Sequence, residues 1–189
     1  MNFEKIKPLL VCDNQRLSFL PVKNPSIYVA CLASYNNGYL HGEWIEVTDE
    51  ETVNEEIQKI LASSPVGEAE EHAIHDYEGF GSLSLGEYES ISWVCELAEL
   101  MREHGEVILE LYSYHGDLEY AKTALENNYY GEHKSEQDFS NDFFDDLYAH
   151  EIPKHLTFYI NYEAFSRGLF ITDFYSIETE SGVHVFSNH

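Results

Sequence analysis

The sequence predicts an α+β fold, and three observations predict it. Short β-rich runs occur near both ends, at 27–34, 39–47, 71–77, 170–178 and 183–186, while the intervening chain repeats apolar residues at helical spacing. Strands grouped apart from helices indicate α+β architecture rather than an alternating βαβ sheet. The chain has 189 residues, 43% of them hydrophobic, enough to bury real cores, and its 14 Tyr and 11 Phe separate it from acidic disordered segments, which are poor in aromatics.

Residues 1–25 read as an extension in which Pro8, Pro21 and Pro25 punctuate short apolar pieces, able to add a strand or to stay loose. The run I-Y-V-A-C-L-A-S at 27–34 predicts a strand, Asn36-Asn37-Gly38 a turn, and 39–47 the second strand of a hairpin. A helix starts at Thr48 or Asp49: Asp49, Glu50 and Glu51 suit the positive N-terminal end, and Val53, Ile57, Ile60 and Leu61 recur at helical spacing up to the stop at Ser64-Pro65. A strand at 71–77, ending at Gly79 and Gly81, completes a β-β-α-β unit.

From Gly86 onward the period changes. Trp93, Leu97, Leu100, Val107 and Leu111 form one apolar stripe with His104 on its line, and Gly105 is placed to break the helix in two. Further helices are expected at 117–127 and 135–147, and a final amphipathic helix at 152–165 with Pro153 in its first turn. Strands at 170–178 and 183–186 close the chain around a Ser181-Gly182 turn. The expected organisation is an extension at 1–25, an α+β domain at 26–86, a central helical domain at 87–127 and a C-terminal α/β domain at 128–189.

Charge is the dominant compositional fact. There are 35 Asp and Glu against 10 Lys and Arg, a formal net charge of −25. The stretch 41–151 holds 29 of the acids against only Lys59, Arg102, Lys122 and Lys134, so all of the net charge resides there. Such a chain repels nucleic acid and anionic membranes and is steered towards basic surfaces, most of which exist to hold nucleic acid.

The acids fall on helix faces. Glu50, Glu51 and Glu55 belong to the first helix, and Glu96, Glu99, Glu103, Glu106 and Glu110 follow at steps of three and four. Asp117, Glu119 and Glu126 flank or occupy the next helix, and Glu132, Glu136, Asp138, Asp142, Asp145 and Asp146 the one after. An acidic stripe is ordinarily just a solvated face. A solubility face mixes signs, however, and like charges at helical spacing cost roughly 0.2–0.5 kcal/mol per pair. A dozen such pairs would consume several of the about 5–15 kcal/mol that hold a domain together. The anionic surface is therefore expected to be functional, displaying carboxylates at spacings near those of duplex phosphates, ~1.7 Å of axis apart over both strands. A halophilic protein would spread its acids over the entire chain, which this one does not.

No catalytic, cofactor or metal motif stands out. His72-Ala73-Ile74-His75-Asp76 offers ligand types, but residues 72 and 75 of a strand point to opposite faces, and Asp142, Asp145 and Asp146 lack the D-x-D-x-D-G order of a calcium loop. The G-x-S-x-G, P-loop and H-E-x-x-H motifs are absent, and Gly79-Phe80-Gly81 lacks the setting of a dinucleotide loop. Cys12, Cys31 and Cys95 are an odd number without C-x-x-C spacing, which fits a reducing cytoplasm, and no run approaches a membrane span or signal peptide. Two weaker readings remain open on these residues: an acidic adaptor for another basic DNA-binding protein, and an acidic hydrolase.

Several segments resemble a known family. Y-N-N-G-Y-L-H-G-E-W at 35–44, A-I-H-D-Y-E-G-F-G at 73–81, Tyr130-Gly131-Glu132 with the Ser-Glu-x-Asp-Phe that follows, I-P-K-H-L-T-F-Y-I-N-Y-E-A-F-S-R-G-L-F at 152–170 and G-V-H-V-F at 182–186 are similar to the ArdA antirestriction family. The likeness runs in family order over roughly 26–189. Asn161 and Gly168 stand where that family usually places an acid. The resemblance implies an elongated molecule of three small domains, a homodimer formed through the C-terminal one, and a bent, DNA-like surface that binds the methyltransferase core of type I restriction-modification enzymes. It implies no cofactor and no enzymatic activity. Phe158, Tyr159, Tyr162 and Phe165 read as core or dimer-interface anchors, and Arg167 as an interface or ion-pair residue.

Overall fold

The computed structural model describes residues 24–188. The expected extension therefore lies outside the described residues except for Asn24 and Pro25. Two compact units, 24–109 and 110–188, divide the described chain, with the boundary inside a helix.

In the first unit, alternation of apolar and polar residues produces β1 (Ser26–Cys31), whose Ile27 and Val29 are fully buried. The expected continuation to Ser34 does not occur. Residues 32–36 wind into a short helix, α1 (Leu32–Asn36), because Ser34 is buried with its hydroxyl 2.8 Å from that of Ser64, and Asn37 closes the turn by donating to the Ala33 carbonyl. Strand β2 (Gly42–Glu46) is correspondingly shorter than the predicted 39–47, and it pairs antiparallel with β1, Tyr28 opposite Trp44. Adding β3 (His72–Glu78) gives a three-stranded antiparallel sheet in the order β2-β1-β3.

Helix α2 (Glu50–Ala62) forms as its sequence dictates. Asp49 caps it by accepting from the Thr52 backbone N–H at 2.9 Å, and Val53, Ile57, Ile60 and Leu61 bury the face that packs against β1 and β2. Helix α3 (Ile91–His104) buries Val94, Leu97, Ala98 and Met101. Gly105 ends it at φ +72°, a conformation costly for a side-chain-bearing residue, and α4 (Val107–His115) begins two residues on. Of the predicted stripe, Leu97, Leu100, Val107 and Leu111 are buried, while Trp93 and His104 are half-buried.

In the second unit, Asp117 caps α5 (Leu118–Thr123) through the Tyr120 N–H, and a single π turn at Ala124–Asn128 follows. It leads into β4 (Tyr129–His133), which the sequence pattern does not reveal: Y-Y-G-E-H has no alternation, and it becomes a strand by pairing with β6. Helix α6 (Glu136–Leu147) is capped by the Ser135 hydroxyl. The continuous helix expected at 152–165 is instead two pieces. Residues Lys154–Tyr159 form a 3-10 segment, and the Asn161 side chain accepts from the Ala164 N–H at 2.9 Å, starting a separate helix, α7 (Tyr162–Thr172). That helix consumes the front of the predicted strand at 170–178, leaving β5 (Phe174–Glu178), which joins β6 (Val183–Ser187) through a turn at Ser181-Gly182. The sheet order is β4-β6-β5, all antiparallel. Phe139, Phe143, Leu169, Phe174 and Val185 form the core under it, with aromatic rings meeting edge to face, as at 5.0 Å between Phe139 and Phe174.

Candidate acidic interface

Burying one face of each helix turns the other outward, and the acids lie there. In the first unit Glu50, Glu51, Glu55, Glu99, Glu103 and Glu106 are exposed and Glu96 is half-buried. Glu51 and Glu99 make no side-chain hydrogen bond or ion pair among the described residues. Tertiary structure brings two of these sets together: Asp49 and Glu50 from the start of α2 share a groove of about 520 Å³ with Glu96 and Glu99 of α3. Thr48, Cys95 and Arg102 also line it.

The basic group in that groove is already committed. The Arg102 guanidinium donates to the carbonyls of Val47 and Thr48 at 3.1 and 3.3 Å, tying α3 to the β2–α2 junction. Cys95 reports the local electrostatics. Burial pushes its thiol up to about 11, with Glu50 and Asp49 adding to the shift and Arg102 opposing it. A thiol held protonated is a poor nucleophile, so the groove does not present a reactive cysteine.

In the second unit Asp117, Glu119, Glu126, Glu132, Glu136, Asp142, Asp145 and Asp146 are exposed, and Glu110 and Asp138 are half-buried. Several serve the fold. Asp117 is a helix cap, Glu119 pairs with Lys122 at 2.8 Å, Glu136 accepts from the Ser176 hydroxyl at 2.6 Å, and Asp145 accepts from the Tyr162 hydroxyl at 2.8 Å. In the first unit Lys59 pairs with Glu56.

The four aromatic anchors separate into two pairs. Tyr162 and Phe165 are half-buried, each with its ring centroid 5.0 Å from that of Phe144, and so hold α7 to α6. Phe158 and Tyr159 are 93% and 82% exposed, so neither belongs to the core of the single chain. Leu156 and Ile171 are exposed as well. His75 sits edge-on to the Tyr35 ring, and among the described residues His72, His75 and Asp76 do not converge on a common metal position. The cap Asp49 and the anchored Arg102 are the groove residues that a search for acidic stripes passes over; the signal for the first is its place immediately before the first acidic turn.

No helix among the described residues is long and apolar enough to cross a membrane. Two antiparallel three-stranded sheets, each accompanied by helices whose outer faces carry carboxylates, define an acidic α+β protein. Residues 27–184 match the family model described as antirestriction protein (ArdA), and the chain belongs to that family. Its function is accordingly antirestriction, with a restriction enzyme as the partner the family implies. No curated protein matches the chain.

Proposed function

We propose that this protein is a decoy for double-stranded DNA, whose carboxylates substitute for phosphates and occupy the DNA-binding groove of a type I restriction-modification enzyme at its methyltransferase core. The observation that carries the reading is the exposure of acids on successive helices of 41–151, combined with the internal engagement of Lys59, Arg102 and Lys122. A basic groove meeting this surface gains the attraction it gains from duplex and releases comparable counterions.

Catalysis plays no part in this mechanism, and neither does a cofactor. The active form is a homodimer built through the C-terminal region, where Phe158, Tyr159 and Ile171 offer large apolar side chains to a partner, while Tyr162 and Phe165 anchor α7 to α6 through Phe144. Burying such rings removes them from water at about 25 cal/mol per Å². The protein acts in the cytoplasm, where its free, buried Cys31 and Cys95 stay reduced.

The test is a pull-down of a type I methyltransferase core with the full chain across a salt series, with duplex DNA as competitor. The expected result is a complex that weakens steeply with salt and is displaced by DNA. Failure to form any complex at low ionic strength sinks the proposal.

A further inference from the structure

We propose that His133, Asp138 and Asp142 bind a first-row divalent transition-metal ion, of the Mn²⁺ or Zn²⁺ type. One imidazole nitrogen and one oxygen from each carboxylate lie within 4.8 Å of one another. This cluster differs from the surrounding acidic surface because it contains an imidazole, whose ring is held by a backbone carbonyl and a neighbouring phenylalanine.

Asp138 and Asp142 are one turn apart on α6, so their carboxylates share a helix face, and the Ser135 cap, accepting from the Asp138 N–H at 3.0 Å, fixes the turn from which they project. His133 ends β4, immediately before that turn. Its ring stands edge-on to Phe139 at 5.0 Å, and its Nε2 donates to the Tyr130 carbonyl at 3.3 Å. The bulge between Tyr129 and Gly131, with Gly131 at φ +106°, lies within the short stretch that this contact closes. Donation from Nε2 leaves the lone pair on Nδ1. An imidazole oriented by a backbone carbonyl through one nitrogen, with the other bearing its lone pair, is the arrangement of metal-ligating histidines.

The donor set selects the ion. Magnesium and calcium prefer oxygen ligands throughout, whereas one imidazole with two carboxylates suits borderline first-row ions. The exposure of Asp142 leaves room for water to complete the shell of such an ion. The ion also relieves repulsion between two carboxylates at helical spacing. Asp138 and Asp142 belong to the acidic surface of the decoy, so an occupied site lowers its negative charge locally, although the site itself does not depend on the decoy reading.

The experiment is calorimetric titration of the chelator-stripped full chain with Mn²⁺ and with Zn²⁺, in excess Mg²⁺ at physiological ionic strength to fill diffuse acidic sites. One saturable site per chain is expected. Affinity should fall at least about tenfold in His133→Gln and in Asp142→Asn, while Asp146→Asn on the same helix is unchanged. In proton NMR spectra, substoichiometric Mn²⁺ should broaden the His133 ring signals before those of other histidines. Asp142 is exposed, so its variant should melt like the parent without metal, and it carries the test if His133→Gln folds poorly. Binding that does not saturate above the Mg²⁺ background, or that is equally strong in Asp142→Asn, overturns the proposal.

Discussion

The two units carry their acids differently. In 24–109 the outward faces of α2 and α3 present Glu51 and Glu99 without side-chain hydrogen bonds or ion pairs among the described residues, and the groove between the two helices gathers four carboxylates around an arginine committed to backbone carbonyls. In 110–188 several acids tie elements together: Asp117 caps a helix, Glu136 reaches β5 and Asp145 reaches α7. The lesson is that equal negative charge need not have equal origin. A carboxylate that satisfies a helix end or a hydroxyl would be retained for folding alone. One that stands unpartnered beside like charges costs stability and is best explained by what it binds.

The contrast can be broken by substitution, and the largest effect belongs to neither set of acids. Phe139→Ala removes the ring at the centre of the second core, and a loss of about 3–5 kcal/mol is expected in urea unfolding. A loss below 1 kcal/mol would mean that this unit does not depend on that cluster. Next comes the acidic face of the first unit. Changing Glu51, Glu55, Glu99 and Glu103 together to Lys should weaken binding to the type I core on the order of 100-fold and flatten its salt dependence, without loss of thermal stability. Glu99→Gln alone should shift affinity less than about threefold, because the charge is distributed. If the single change abolished activity, a focused acid of the catalytic kind would be the better reading.

The fold-serving acids should respond in the opposite sense. Asp117→Ala is expected to cost about 1 kcal/mol through loss of the α5 cap, read by thermal melting, with little change in affinity. The smallest effect is that of pH on the second unit. His184 is buried, its Nδ1 2.7 Å from the Tyr129 hydroxyl and its Nε2 3.1 Å from that of Thr179, and burial lowers its pKa against the opposing influence of Glu132. The unfolded chain therefore takes up this proton first, so the stability it contributes is present above the ordinary histidine range and fades as pH falls through it. Comparing urea midpoints of the parent and His184→Gln at pH 8 and pH 6 measures the term. An unchanged pH dependence in the variant removes His184 as its source.

Much of the architecture is legible in the chain because its causes are local. The capped start of α2 at Asp49, its buried Val53, Ile57, Ile60 and Leu61, the break at Gly105, the Ser135 cap and the closing strands around Gly182 all follow from periodicity, capping chemistry and backbone freedom within a few residues. The excess of carboxylates on helix faces is equally a property of sequence, since the apolar stripe of each helix dictates which face turns outward.

Other features arise only where distant segments meet. Ser34 lies in a helix rather than a strand because Ser64 meets it across the fold, and Tyr129–His133 becomes a strand because β6 supplies its hydrogen bonds. Asn161 divides 152–172 by capping a new helix, a competition between local conformations that apolar spacing does not resolve. The shared groove of Asp49, Glu50, Glu96 and Glu99 likewise depends on how elements pack. Sequence alone determined the helix periods, the cap of α2 and the sign of the surface, because each is decided within one or two turns of chain. Tertiary structure decided which carboxylates became neighbours, because pairing and burial balance contacts between residues far apart in sequence.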